Sequence, residues 1–238
     1  MRRTLMLGRR RAGFTLVEVV VAVSILALIG TVTFITLSNS LKTRDVLEAE
    51  DRVNQSARIA MSRIRRDFSL AYLTKNTAAV NSYRTIFVGQ DDNTADRAWF
   101  AALSHQRRVR DSRESDQTEI TYWTVDDPNA DRAMVLLRRE APRIDQEPEK
   151  DGSIAPVAYG VRAFDLQYLD HQTAEWKKEW DTTGSETPNR LPRAVRVTLT
   201  MIAPDPDDEE RTKERSFVST IPLAFAPKLV RKSAQEGT

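Results

Sequence analysis

Cysteine is absent from the 238 residues, and histidine, glycine and proline are scarce. Without cysteine the chain has no disulfide, no thiolate metal ligand and no cysteine nucleophile. The 2 His residues exclude a histidine-rich metal site, and the 8 Gly and 10 Pro exclude a collagen-like or low-complexity chain. What is present, 40% hydrophobic and 29% charged residues, is typical of a folded protein that buries a core.

Acidic residues are missing from the first 13 positions, which contain five arginines at positions 2, 3, 9, 10 and 11. They dominate the formal charge of +2, because without them 31 of the 36 basic residues remain against 34 acidic ones. That remainder is not basic enough to indicate a nucleic-acid surface, and no nucleic-acid partner is expected.

A long apolar run follows the arginines, from Phe14 to Leu37, with Glu18 as its one ionisable residue. At about 1.5 Å per residue, a helix of this length is roughly 36 Å long and crosses a hydrocarbon core of about 30 Å. Segment 14–37 is therefore predicted to span a membrane. The preceding arginines place the N-terminus in the cytoplasm and the rest of the chain, in a bacterium, in the periplasm.

A cleaved secretory signal and a plain uncleaved anchor are two simpler interpretations of this region. A cleaved secretory signal has a shorter apolar stretch that ends at small residues, and Ser38-Asn39-Ser40 is a poor cleavage site. A plain uncleaved anchor is compatible with the arginines and the apolar run, so these two features alone leave it open.

Residues Gly13-Phe14-Thr15-Leu16-Val17-Glu18 stand between the basic leader and the apolar run. They resemble the processing motif of type IV prepilins and type II secretion pseudopilins. The resemblance implies that a prepilin peptidase cleaves between Gly13 and Phe14, that Phe14 is then N-methylated, and that the helix is retained. Segment 1–13 is accordingly interpreted as a cleaved leader.

The residue types suit that chemistry. Gly13 lets an extended leader approach a protease closely and opposes helix formation in the leader. Cleavage creates an ammonium group on Phe14, and Glu18 lies one helical turn further on, where its carboxylate offsets that charge within the chain or in a neighbour. Glu18 is therefore predicted to act in assembly. The alternative is a carboxylate that reaches the membrane interface and has no function there.

The helix is predicted to continue beyond the membrane, because no Pro or Gly occurs between Thr31 and Tyr72. Segment 38–72 contains an amphipathic stripe spaced for one helix face, formed by Ala57, Met61, Ile64 and Phe68. The stripe is too short for a free coiled coil and favours packing on the chain's own domain. Ser38-Asn39-Ser40 is expected to kink or unwind the helix locally.

Segment 73–226 is predicted to form an antiparallel sheet, which gives an α+β fold with the helix on one sheet face. The predicted strands are Thr85–Val88, Ala98–Leu103, Glu119–Val125, Met134–Arg139, Val161–Leu169, Ala194–Met201 and Phe217–Leu223. The clearest is Ala194–Met201, where apolar and polar residues alternate. Segment 227–238 is expected to be a flexible tail.

Several later blocks sharpen the resemblance. Arg138-Arg139-Glu140, Gly160-Val161, Phe164–Asp170 and the run Leu191–Leu199 resemble minor pseudopilin J of the type II secretion system, with some features shared with minor pilins that prime type IV pili. Together with the leader motif, the resemblance extends over nearly the whole chain. It implies a pilin-like fold in which a long N-terminal helix packs on the sheet.

The resemblance also implies a function. A J subunit is a structural minor pseudopilin in the tip complex that starts the periplasmic pseudopilus, anchored in the inner membrane before assembly. Implied partners are minor pseudopilins I and K, the major pseudopilin, the prepilin peptidase and the inner-membrane secretion platform. No cofactor, metal or catalytic activity is expected. The alternatives are a minor pilin priming a type IV pilus and a membrane-anchored periplasmic enzyme or binding module.

Three other features remain open at this level. Trp176 and Trp180 are either exposed partner anchors or packed aromatics. The acidic runs Asp91–Asp96 and Asp205–Glu210 are either calcium loops or solvated turns, and Asp91–Asp96 lacks the glycine and the final acid of a calcium loop. Ser104 and His105 are neighbours, which is not the arrangement of a catalytic triad.

Overall fold

The computed structural model describes residues 13–74, 85–105, 115–130, 132–144, 151–205 and 208–228. One long helix, α1, contains Leu16–Ser69, which is 54 residues. Contacts divide the chain into two units, Met1–Glu48 and Ala49–Thr238, and α1 contributes to both. The predicted leader, 1–13, lies outside the described residues except for Gly13, as does most of the predicted tail, 227–238.

The first unit consists of the N-terminal part of α1, whose apolar side chains are exposed along the whole predicted span. The helix contains a stretch that is long and apolar enough to cross a membrane. Hydroxyl groups in this stretch donate to the carbonyl four residues earlier, as in Ser24 to Val20 and Thr31 to Ala27, both at 2.8 Å. These bonds satisfy the hydroxyls inside the helix, as a hydrocarbon environment requires.

The helix continues without interruption through Ser38, Asn39 and Ser40. The expected unwound turn at this point is wrong. The main-chain hydrogen bonds of a regular helix outcompete the local side-chain bonds at these three residues. The Thr43 hydroxyl donates to the Asn39 carbonyl at 2.9 Å without interrupting the helix.

In the second unit, α1 buries the predicted apolar stripe. Ala57, Ile64 and Phe68 are 0% exposed, and Met61 is 9% exposed. The helix ends at Ser69, whose carbonyl accepts the Ala224 N–H at 2.9 Å, while the Tyr72 N–H donates to the Ala101 carbonyl at 3.0 Å. The end of α1 is therefore tied to the sheet by main-chain bonds.

Nine strands occur in the described part of the second unit. Their bounds are β1 Phe87–Gln90, β2 Arg97–Ala102, β3 Thr118–Asp126, β4 Met134–Ala141, β5 Ser153–Leu169, β6 Trp176–Lys177, β7 Trp180–Asp181, β8 Ala194–Asp205 and β9 Asp208–Pro222. Every predicted strand has a counterpart, and the two-residue strands β6 and β7 were not predicted. The α+β fold class is confirmed.

The strands form one antiparallel sheet in the order β7, β1, β2, β3, β4, β5, β8, β9, with β6 paired to β5. The alternation predicted for β8 is present, since Val195, Val197 and Leu199 are 0% exposed and their neighbours Arg196 and Thr198 are more exposed. One face of the sheet therefore supplies the core against which α1 packs.

Strand β5 is eight residues longer than predicted and changes partner along its length. Its first half pairs with β4 and its second half pairs with β8. Gly160 has a φ of +67°, and the register shifts between Val161 and Ala163. This bulge bends the strand, which lets one strand join the two parts of the sheet.

The core beneath α1 is rich in aromatic rings. Phe68 lies 4.5 Å from Phe100 between ring centroids, and Tyr168 lies 6.5 Å from Trp180. A Cβ added at Gly89 would lie 1.9 Å from the Tyr168 hydroxyl oxygen. Glycine is therefore needed at position 89, because the Tyr168 ring is 0% exposed and fixed by its neighbours.

The two tryptophans have separate environments. Trp180 is 1% exposed, and its indole N–H donates to the Arg190 carbonyl at 2.8 Å, so it is a packed aromatic. Trp176 is half-buried, and the Arg196 guanidinium carbon lies 4.1 Å from the centroid of its ring. This pair is a cation–π contact within the chain.

The oxygens of the acidic run Asp91–Asp96 bind groups of the protein. Asp91 accepts the Asn93 N–H at 3.1 Å and pairs with Lys178 at 3.2 Å. The buried Asp96 accepts main-chain N–H groups of Asp92 and Leu166 at 2.9 and 2.7 Å. These contacts favour the turn interpretation. The side chains of the second run, Asp205–Glu210, lie outside the described residues.

Candidate functional site

The predicted processing residues lie immediately before the helix. Gly13, Phe14 and Thr15 are non-helical and exposed, and Phe14 is 83% exposed. The peptide bond between Gly13 and Phe14 is therefore in a non-helical, exposed stretch, which a protease can reach.

Thr15 and Glu18 form a capping box at the start of α1. The Glu18 N–H donates to the Thr15 hydroxyl at 3.3 Å, and the Thr15 N–H donates to the Glu18 carboxylate at 3.4 Å. Two main-chain donors that a helix start leaves unpaired are thereby satisfied. The carboxylate also stands at the positive end of the helix dipole.

In the full chain, which includes segment 1–13, the capping box determines what the Glu18 carboxylate binds. The ammonium group predicted for Phe14 after cleavage is absent from this chain, and the Glu18 carboxylate accepts the Thr15 N–H. The prediction that Glu18 acts in assembly stays a prediction. Sequence reasoning missed the cap, although Thr15-Leu16-Val17-Glu18 contains the spacing of threonine and glutamate that indicates one.

A group of buried polar residues fixes the last turns of α1 to the sheet. Asp67 on α1 is 0% exposed, and its carboxylate accepts bonds from Arg138 of β4 and Tyr122 of β3. The Arg138 Nε and Nη2 atoms lie 2.6 and 3.2 Å from the two Asp67 oxygens, and the Tyr122 hydroxyl lies at 2.6 Å. A buried carboxylate thus has three donors, which is what its burial demands.

Glu140 extends this group toward the surface. It accepts bonds from Arg138, from His105 at 2.8 Å and from Arg63 of α1 at 3.3 Å. Burial by itself would raise the pKa of Glu140, but the Arg138 and His105 bonds outweigh it and hold the pKa below its ordinary value. Glu140 is therefore charged when it faces the two arginines.

Burial also raises the pKa of Tyr122 well above its ordinary value, and the neighbouring Asp67 adds to the rise. Burial would lower the pKa of Arg138, but its bonds to Asp67 raise it. The phenol therefore stays a neutral donor and the guanidinium stays charged. This helix–sheet cluster, Asp67, Tyr122, Arg138, Glu140 and Arg63, specifies one position of α1 on β3 and β4.

Sequence reasoning treated these residues separately. Arg63 and Asp67 are four residues apart along the helix, and their side-chain atoms are 3.8 Å apart. The principal partner of Asp67 is Arg138, 71 positions later. No local pattern could reveal that contact, although an aspartate next to the predicted buried position Phe68 was an available signal of a buried carboxylate that needs a partner.

The family comparisons agree with these observations. The family model for protein J of the type II secretion system matches residues 35–204, and the model for the prokaryotic N-terminal methylation motif matches residues 8–34. The second match includes Gly13, Phe14 and Glu18, and the first includes the helix–sheet cluster.

Similar proteins occur in several bacteria. Type II secretion system protein J of Klebsiella pneumoniae is 24% identical over 198 residues, which is 81% of this chain and 90% of that protein. A solved GspK–GspI–GspJ complex from the type II secretion system of enterotoxigenic Escherichia coli contains a chain that is 15% identical, with a TM-score of 0.43 and coverage of 73% of this chain and 98% of that one. A type IV-like pilin from Thermus thermophilus is 12% identical, with a TM-score of 0.46 and coverage of 72% and 97%.

The family model covers well over half of the chain, and the methylation motif matches where the capping box begins the helix. An apolar membrane-length helix and an antiparallel sheet unit are both present, as the resemblance implied. The resemblance predicted from sequence is confirmed, and the chain belongs to the protein J family of type II secretion system pseudopilins.

Proposed function

We propose that this chain is the J subunit of a pseudopilus tip complex, in which it joins minor pseudopilins I and K and starts assembly of the periplasmic fibre. The match of the family model to residues 35–204 is the observation that supports this role. The function is structural. The subunit acts by binding and positioning other subunits, and it catalyses no reaction. The fibre that it starts supports export of proteins across the outer membrane.

Before assembly the subunit is anchored in the inner membrane, with its N-terminus in the cytoplasm and its sheet unit in the periplasm. A prepilin peptidase cleaves between Gly13 and Phe14, and Phe14 becomes N-methylated. The exposed, non-helical backbone at these two residues supports this step.

Cleavage changes what Glu18 can bind. In the uncleaved chain its carboxylate accepts the Thr15 N–H, and after cleavage an ammonium group appears on the neighbouring Phe14. The new charge competes for the same carboxylate, within the chain or from another subunit, because a carboxylate in an apolar environment binds an ammonium group more strongly than a neutral N–H donor. Glu18 then acts when the subunit leaves the membrane and enters the fibre, with the secretion platform and the major pseudopilin as further partners.

The test is co-purification from membranes. The full chain, with an affinity tag at its C-terminus, is extracted in mild detergent from cells that also produce minor pseudopilins I and K, and bound proteins are identified by mass spectrometry. Subunits I and K are expected in the eluate. If neither is present, while minor pilins of a co-produced type IV pilus are retained, the chain primes a pilus and the proposed function is wrong.

A further inference from the structure

A pocket of about 510 Å³ lies where β1 ends and β2 begins, beside the middle of β3. This volume is typical of small-ligand sites, which measure about 300–1,000 Å³. Trp123 of β3 lines the pocket, and because it follows the buried Tyr122, its side chain points to the sheet face opposite α1. We call this the Trp123 pocket, and its lining includes Gln90, Asp92, Arg97, Trp123, Thr124 and Glu179.

Trp123 differs from the other three tryptophans of the chain. Each of those has a ring or a guanidinium group against it within the chain: Arg97 with Trp99 at 5.6 Å, Arg196 with Trp176 at 4.1 Å, and Tyr168 with Trp180 at 6.5 Å. The half-buried Trp123 has no ring or cation partner among the residues that the structure describes. The face of its indole is therefore open to a ligand in the pocket.

Polar side chains with no partner in the chain surround this indole. In the described ranges, four of them form no side-chain hydrogen bond or ion pair, namely Gln90, Asp92, Thr124 and Glu179. The two carboxylates are acceptors, whereas the amide and the hydroxyl both donate and accept. The turn that carries Asp92 is held in place, because the Asp92 main-chain N–H donates to the buried Asp96 carboxylate at 2.9 Å. The pocket therefore presents fixed donors and acceptors beside an aromatic face.

The charges of the lining disfavour ions of either sign. Asp92 and Glu179 repel an anion. Arg97 repels a cation, and the carboxylate of Asp91, which also lines the pocket, is already paired with Lys178 at 3.2 Å. An apolar ligand would cover the polar side chains without bonding them, which is unfavourable. A neutral ligand with many hydroxyl groups meets all of these conditions, because each hydroxyl both donates and accepts.

We propose that the Trp123 pocket binds a neutral oligosaccharide. One sugar ring packs its C–H face on the indole, and the sugar hydroxyls bond to the unpaired polar side chains around it. The inference goes beyond the proposed function and holds whichever subunits the chain joins. Two sources carry this chemistry: the N-acetylated glycan of the cell wall, and a hexose polysaccharide from outside the cell.

Isothermal titration calorimetry measures binding of the full chain to a tetramer of N-acetylglucosamine and to cellotetraose. The chain is kept in a detergent without a sugar headgroup, because a glycoside detergent would compete for the pocket. Trp123→Ala removes the aromatic face, and Asp92→Ala with Glu179→Ala removes two acceptors at exposed positions. Trp176→Ala is the matched control, since Trp176 is a half-buried tryptophan outside the pocket lining. Thermal unfolding of each variant shows whether the fold is retained.

At least one tetramer is expected to bind the wild-type chain with a Kd of about 1 mM or below. Trp123→Ala should weaken binding at least tenfold, the double variant severalfold, and Trp176→Ala not at all. A preference for the N-acetylglucosamine tetramer assigns the pocket to cell-wall glycan, and a preference for cellotetraose assigns it to an external polysaccharide.

The inference is wrong if neither tetramer binds, or if the chains altered in the pocket bind as well as the Trp176→Ala control. Should Trp123→Ala fail to fold, the double variant at exposed positions decides the outcome. Binding of the polyamine spermidine at the pocket, with no binding of either tetramer, would make it a cation site and would also overturn the inference.

Discussion

Replacement of Asp67 by Ala tests how α1 is held on the sheet. In the wild-type chain Asp67 is 0% exposed and Arg138 is 6% exposed, and the shortest distance between their atoms is 2.6 Å. The variant removes the carboxylate but leaves the guanidinium buried, together with the Tyr122 hydroxyl that loses its acceptor. Glu140 remains as the one acidic partner of Arg138 within the helix–sheet cluster.

The expected loss follows from these contacts. Removal of one partner of a buried ion pair costs about 3–5 kcal/mol, because the other charge stays desolvated. The contact with Glu140 keeps the loss within that range. Domains are stable by about 5–15 kcal/mol, so Asp67→Ala is expected to leave the sheet unit marginally folded.

Urea unfolding of the full chain in detergent, followed by tryptophan fluorescence, measures this loss. Trp99, Trp123, Trp176 and Trp180 all lie in the second unit outside α1, and Trp180 is buried, so the signal reports that unit. Asp51→Ala, at an exposed position on the same helix, is the control and is expected to change the free energy of unfolding by less than about 0.5 kcal/mol. A loss of under about 1 kcal/mol for Asp67→Ala would refute the buried-pair reasoning.

Three further outcomes are expected. Gly89→Ala should lower the free energy of unfolding by about 1–3 kcal/mol, measured by the same urea titration, since the new Cβ collides with the Tyr168 ring. Burial raises the pKa of the Asp96 carboxyl group from 3.8 to about 6. The folded chain therefore binds a proton at Asp96 more tightly than the unfolded chain does, and its stability falls as the pH rises from 3.8 through 6. Between pH 5 and 7 the wild-type chain should lose about 1 kcal/mol relative to Asp96→Asn, and an equal pH dependence of the two chains would contradict the raised pKa. Mass spectrometry of the chain extracted from membranes should find a mature form that begins at methylated Phe14, whereas an intact N-terminus or a start near position 40 would contradict cleavage after Gly13.

The elements with strong local patterns were predictable from sequence. The apolar run and the stripe of Ala57, Ile64 and Phe68 specify a helix and its buried face through their spacing alone. The alternation of apolar and polar residues likewise specified β8 as a strand and identified its buried face. The helix was predicted to continue to residue 72 and ends at Ser69, because the Tyr72 N–H donates to the Ala101 carbonyl and the Leu70 carbonyl accepts the Leu103 N–H.

The first half of β5 was not predicted. It contains Pro156 and ends at Gly160, and both residue types normally argue against a strand. The structure tolerates them because Ser153–Gly160 pairs with β4 on one side and the glycine is at the bend of the bulge.

The candidate site was predictable only where its residues are neighbours in sequence. The predicted processing residues Gly13 and Phe14 and the predicted assembly residue Glu18 came from a short motif, which the methylation-motif model also matches. The bond between Asp67 and Arg138 joins residues 71 positions apart, and it depends on how the helix meets the sheet. Such contacts need the register of β3 and β4, which composition and periodicity do not determine.

The location of the subunit in an assembled fibre tests most directly whether this chain is part of the pseudopilus tip. The chain has no cysteine, so Arg143→Cys introduces a single exposed thiol for a maleimide–gold label, in a strain whose other pseudopilins also lack cysteine. Electron microscopy of sheared pseudopili then shows where the label lies. One gold particle is expected at one end of each fibre. Gold distributed along the fibres, or fibres of normal number and length when the chain is absent, would contradict it.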